Sequence, residues 1–225
     1  GNLLVNSGTL NIAGPGLIDF GTPQIDLAAM NILISGKIQG AAQNGQATTV
    51  GALNIIAGQN NIDYADPTHP RPIAGAPTTS AAIDVSGLGG MYAQKIMLIS
   101  TAQGVGVNSA GTIHSASDVT VATDGSVTLG ATDSTTKTSG AVTAGGNVTI
   151  KGYGAAGAAS INNNNGKIIA GGAVNLNTSG ALNNQSALMQ SGGAMSLTGS
   201  AAGMNNTSGQ LLAGSTLSIA TMGGA

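Results

Sequence analysis

The sequence predicts an all-β protein: a right-handed parallel β-helix, a solenoid with three short strands per coil and about 21–22 residues per coil. Three observations predict it. The chain is built of small aliphatic and uncharged polar residues, apolar pairs spaced two apart recur at a nearly constant interval, and proline is confined to the residues before 78.

The 225 residues are 41% hydrophobic, 6% charged and 2% aromatic, with a net charge of −2, no Cys and no Trp. All eight acids are Asp. The residues that normally cover helix surfaces (Glu, Lys, Arg) are therefore scarce, which argues against a helical protein. High apolar content at low net charge excludes disorder. No run of about 18 apolar residues could form a membrane helix, and Phe20, Tyr64, Tyr92 and Tyr153 are too few for the aromatic girdles of a membrane barrel. The near-neutral balance gives no electrostatic reason to expect nucleic acid. An absence of Cys leaves the redox compartment open. The chain begins at Gly1 without a signal peptide and ends mid-pattern at Ala225, so the reading is a fragment of something longer.

The repeat is clearest after residue 113. A motif of the form Gly-Gly-x-Val-x-Leu sets Val127, Val148, Val174, Met195 and Leu217 at steps of 21, 26, 21 and 22. Two positions on stand Leu129, Ile150, Leu176, Leu197 and Ile219, with Thr128, Thr149, Asn175, Ser196 and Ser218 between. Spacing of two puts both apolar side chains on one face of a strand and the polar one on the other. Val148, Val174, Met195, Leu217, Ile150, Leu176, Leu197 and Ile219 are the expected core ladder. A second column, six residues earlier, is Val121, Val142, Ile168, Met189 and Leu211; a third is Ile161, Leu182 and Met204. The third is followed by paired asparagines, of which Asn162, Asn183 and Asn205 are the expected Asn ladder, with turn propensity as the simpler account. The 26-residue step points to an insertion around 152–159. Three short strands cannot bury their apolar faces alone; stacked coils can.

The first half repeats less regularly, in Leu3-Leu4-Val5, Leu10-Asn11-Ile12, Ile32-Leu33-Ile34, Leu53-Asn54-Ile55-Ile56 and Ile96-Met97-Leu98-Ile99. All six prolines precede Thr78, and the cluster Pro67, Pro70, Pro72 and Pro77 predicts a loop or hairpin excursion near 58–80.

Residues that could carry chemistry are few. Residues 168–225 contain no charged residue and no His, so that stretch cannot supply a general acid or base. Asp63, Asp66, His69 and Arg71 gather in the excursion and could form a small metal or recognition site, against the plainer reading of a solvated loop. His114, Ser115 and Asp118 can be drawn as a triad, but their spacing is wrong. Gly152, Gly154 and Gly157 match a dinucleotide fingerprint with no acid downstream. Asn147-Val148-Thr149 and Asn205-Asn206-Thr207 are sequons expected by chance in so Asn- and Thr-rich a chain. No catalytic, cofactor-binding or metal-ligating residue is assigned, and no cofactor is expected.

The stretch Leu88-Gly89-Gly90-Met91-Tyr92-Ala93-Gln94-Lys95-Ile96-Met97-Leu98-Ile99, followed by Gly104-Val105-Gly106-Val107-Asn108-Ser109-Ala110-Gly111-Thr112-Ile113, resembles the signature of the filamentous haemagglutinin family of two-partner secretion exoproteins. Gly58-Gln59-Asn60-Asn61-Ile62-Asp63-Tyr64 resembles a second family element, and the later repeats, such as Leu211-Leu212-Ala213-Gly214, resemble its haemagglutinin repeats. The resemblance implies that residues 1–112 are the C-terminal part of the secretion (haemagglutination activity) domain and that 113–225 begin the repeat shaft. It also implies a bacterial cell-surface or secreted location and an outer-membrane barrel transporter as partner during export. The parent would be an adhesin or a contact-dependent growth-inhibition effector, meeting a receptor or glycan on a host or neighbouring cell. The family's Asn-Pro-Asn motifs are absent from this stretch. The reading is thus a non-catalytic, monomeric scaffold segment. The alternatives are a carbohydrate- or receptor-binding surface on the shaft itself, or a polysaccharide-lyase-type β-helix enzyme.

Overall fold

The computed structural model describes residues 1–43, 46–73, 81–130, 139–154, 157–200 and 203–222. Among them every regular element is a strand. The strands stack into a parallel β-helix with three faces, taken here in the order the chain visits them. Face one is an eight-stranded parallel sheet, in which Leu10, Ile32, Ile83, Val107, Val127, Ile161, Leu182 and Met204 lie in one register. Faces two and three form one fifteen-stranded sheet. They are joined because the 11-residue strand Gly90–Ser100 runs straight through the corner between them, pairing through Met91 on face two and Ile96 on face three. Parallel crossovers of this kind are right-handed.

Period-two alternation explains what each strand does. In Val148–Lys151 and Val174–Asn177 the first and third residues point inward and are buried, while Thr149 and Asn175 face outward. Face three runs in register through Val119, Val148, Val174, Met195 and Leu217, and two residues on through Val121, Ile150, Leu176, Leu197 and Ile219. Val148, Ile150, Val174 and Met195 are fully buried, Leu197 and Leu176 nearly so, each worth about 1.5–3 kcal/mol of burial. Leu217 and Ile219 belong to the same columns in the last described coil, where they are 44% and 50% exposed. No aromatic side chain is needed inside so narrow a tube.

Glycine sets the corners. Gly145, Gly171 and Gly192 stack where the chain passes from face two to face three. A Cβ on Gly171 would stand 2.2 Å from the Gly145 carbonyl oxygen, and one on Gly192 equally close to that of Gly171. The glycines of the repeat motif are there because successive corners touch through backbone.

Two expectations from the sequence need correction. Val127 belongs to face one, opposite Val107 and Ile161, and Val121 to face three, opposite Ile150. The true partners of their expected columns are Val119, which pairs with Val148, and Ile113, which pairs with Val142. The coil from Val119 to Val148 is 29 residues long because extra chain lies between Gly130 and Gly140. That excess of about eight residues matches the offset between strands on neighbouring faces, so a 21-residue step from Val127 to Val148 imitates the repeat. Leu3-Leu4-Val5 is also not part of a coil. Strand Asn2–Val5 pairs antiparallel with Asn60–Asp63, which pairs antiparallel with Asp66–Pro72, forming a three-stranded sheet outside the tube. The expected excursion near 58–80 is therefore a sheet over its first part; residues 74–80 lie outside the described residues.

Candidate recognition surface

The antiparallel sheet leaves the tube at the end of the face-three strand Val50–Ala57. Gly58, at φ +106°, makes the turn. Asn60 is fully buried behind it, its amide donating to the Ala57 and Gly58 carbonyls at 3.2 and 3.1 Å and its Oδ1 accepting from the Thr101 hydroxyl at 2.8 Å. The sheet's inner side packs Val5 and Ile62 on Ile56 and Ile99, the outward-facing residues of two face-three strands, to make a second small core outside the tube. Beside it an apolar cavity of about 420 Å³ is lined by Leu3, Leu10, Leu27, Ile56, Ile62, Tyr64 and Pro67, among others.

The sheet's outer side gathers ionisable and amide groups. Asn2, Asn61, Asp63, Asp66, His69 and Arg71 line a cavity of about 220 Å³. His69 Nδ1 lies 2.8 Å from Asp66 Oδ2, and the Thr68 hydroxyl donates to Asp66 Oδ1 at 2.7 Å. The Thr68 hydrogen bond, with His69 second, holds the Asp66 carboxyl below its ordinary 3.8. A carboxyl lowered in the folded state adds stability above its unfolded pKa and loses it as pH falls through the folded value. Acidification below about pH 4 is accordingly expected to loosen the start of strand Asp66–Pro72 before the tube. Amide chemical shifts followed by NMR would register this; residues 66–69 unchanged to pH 2 would contradict it. Among the described residues no three His, Cys, Asp or Glu come close enough together to hold a metal ion.

The other sequence candidates are separated by the fold. Ser115 is buried on the inward side of its strand and donates to the Gln94 carbonyl at 2.7 Å, whereas His114 is exposed and shares a 2.7 Å hydrogen bond with the Thr143 hydroxyl. Asp118 lies at the next corner, accepting the Asn147 amide at 2.7 Å. These three make no triad. Gly154 serves the protein's own structure, its amide donating to Asp124 Oδ1 at 2.8 Å.

Asn162, Asn183 and Asn205 stand in register on face one, on the outward side. The side-chain amide ladder runs instead through the second residue of each pair. Asn163 Nδ2 donates to Asn184 Oδ1 at 2.8 Å, and Asn184 Nδ2 to Asn206 Oδ1 at 2.7 Å, with Asn163 and Asn184 fully buried. Two positions further on, the coils stack residues in left-handed conformation: Asn165 at φ 60°, Ser186 at 52° and Ser208 at 56° lie in the successive turns that follow the Asn pairs.

Outside the excursion the surface carries scattered charges, among them Asp26, Lys37, Lys95, Lys151 and Lys167, together with uncharged ladders. Thr120, Thr149, Asn175, Ser196 and Ser218 form one along face three.

The chain matches the family described as TPS secretion domain over residues 2–129. It is 38% identical over 127 residues to tRNA nuclease CdiA-2 of Burkholderia pseudomallei (strain 1026b), covering 56% of this chain and 4% of that protein. It is 37% identical over 123 residues to Toxin CdiA of Yersinia pestis, covering 54% and 3%. It is 33% identical over 130 residues to filamentous hemagglutinin of Bordetella pertussis (strain Tohama I), covering 56% and 4%. The chain thus spans only a few per cent of the length of these relatives. No solved structure matches it. With more than half of its length matched, the chain belongs to the TPS secretion domain family, the two-partner secretion exoproteins that are secreted or held at the bacterial cell surface.

Proposed function

We propose that the chain is a non-catalytic scaffold, joining the later part of a secretion domain (residues 1–112) to the first coils of a repeat shaft (113–225), within an exoprotein that serves adhesion or contact-dependent toxin delivery. Its partner during export would be an outer-membrane barrel transporter. The observation that carries this reading is the stacking in register along two faces, from Leu10 to Met204 on face one and from Ile25 to Leu217 on face three. A tube whose coils contact only their neighbours can assemble coil by coil as chain becomes available. Without a cysteine, the chain has no disulfide to obstruct passage through a pore. The uncharged stretch 168–225 offers no acid–base machinery and supports a passive role. The outer side of the antiparallel sheet, where charged groups gather, is the region best suited to specific recognition.

The test is export. The chain carried in its full-length parent should reach the cell surface only when the cognate transporter is co-expressed, and surface delivery independent of the transporter would defeat the reading. The second reading is a glycan- or receptor-binding shaft, favoured by the regular hydroxyl and amide ladder of Thr120, Thr149, Asn175, Ser196 and Ser218. It predicts reproducible glycan-array binding that is lost when that ladder is replaced by alanine.

A further inference from the structure

Two insertions leave the tube at the same corner. The antiparallel sheet follows strand Val50–Ala57, and a second insertion follows Val148–Lys151; both strands lie on face three. Leu53, Ile96, Val119 and Val148 are in register there, so three coil steps, about 14 Å along the axis, separate the two exits. The insertions close this distance. Tyr153 packs its ring against the small core of Val5, Ile56, Ile62 and Ile99, and its hydroxyl donates to the carbonyl of buried Pro70. The base of the insertion is fixed in turn, because the Tyr153 and Gly154 amides both donate to Asp124 Oδ1, at 2.9 and 2.8 Å, from the intervening coil. Strand Asp66–Pro72 is the edge of its sheet and carries Pro67, Pro70 and Pro72, which cannot extend a ladder. Tyr153 supplies that edge with the hydrogen bond a further strand would have given.

We propose that Tyr153 is a latch: it fastens the antiparallel sheet to the tube only after the coil carrying Val148–Lys151 has stacked, so that the sheet's charged outer face becomes fixed when the first downstream coils are complete. The matched secretion domain ends at residue 129, and the residue that fastens its sheet lies beyond it. The inference depends on the contacts alone and stands whether or not the sheet meets a transporter.

Hydrogen exchange read by mass spectrometry on the whole chain tests it. Tyr153→Phe, which keeps the ring and removes the donor, should speed exchange in residues 60–72 by about fivefold, and Tyr153→Ala by about twentyfold or more. Peptides from 168–198 should be unaffected by either, and Tyr64→Phe, an exposed tyrosine of the same sheet, should change nothing. The latch is refuted if residues 60–72 in Tyr153→Phe exchange within twofold of the parent. It is equally refuted if 168–198 accelerate to the same degree, since that would mark a general loosening.

Discussion

Leu197→Asp is expected to destabilise the chain by about 4 kcal/mol, lowering the melting temperature by about 10 °C. Leu197 is 1% exposed and pairs in register between Leu176 and Ile219. Its side chain points into a tube lined by aliphatic groups, so a carboxylate there has neither water nor a counter-ion, and residues 168–225 hold no cation that could be recruited. The neighbouring change Ser196→Asp places the same charge outside, on the same strand, and should cost no more than about 0.5 kcal/mol. Calorimetry on the two variants separates a register effect from a general intolerance of charge; equal melting temperatures would remove the assignment of Leu197 to the interior.

The second large effect is expected at Asn184, the centre of the amide ladder. Asn184→Leu keeps the branching and number of side-chain heavy atoms but leaves Asn163 Nδ2 without its 2.8 Å acceptor and Asn206 Oδ1 without its 2.7 Å donor. Losing both ladder bonds, with Asn163 Nδ2 left only its 3.3 Å bond to the Leu188 carbonyl, costs about 3 kcal/mol. The ladder already has one raw end, because Asn163 Oδ1 is buried without a partner: face one carries Leu129 in the coil before, and leucine has nothing to donate. Changing Asn183, whose side chain points outward, to Leu should cost well under 1 kcal/mol, and denaturant unfolding of both variants measures the difference.

These variants mark what the sequence disclosed and what it hid. The stacking from Val148 to Leu217 is legible because inward residues alternate with Thr, Asn and Ser, and because the corners repeat glycine. Periodicity misplaces Val127 for a reason no local pattern reveals: the length of the insertion between Gly130 and Gly140 equals the offset between neighbouring faces. The Asn ladder was readable one step later than the pairs suggest. With Ile161 pointing in and Asn162 out, period two sends Asn163 back in, and the same holds for Leu182 with Asn184. Pairing of Asn2–Val5 with the excursion, and the reach of Tyr153 to Pro70 across 83 positions, leave no periodic signal, since each joins segments that lie outside the repeating coils. The gathering of Asp63, Asp66, His69 and Arg71 was visible as a local cluster; the fold adds Asn2 and Asn61 to it.

The unequal coil lengths have a mechanical consequence. A chain pulled from its ends by an atomic force probe should peel one coil at a time, since each is held only by its neighbours. The coils beginning at Val174 and Met195 hold 21 and 22 residues and would release about 75 Å of slack each, whereas those beginning at Val148 and Val119 hold 26 and 29 and would release about 90 and 100 Å. The order of short and long extensions in a single-molecule trace would then read out which end of the tube yields first.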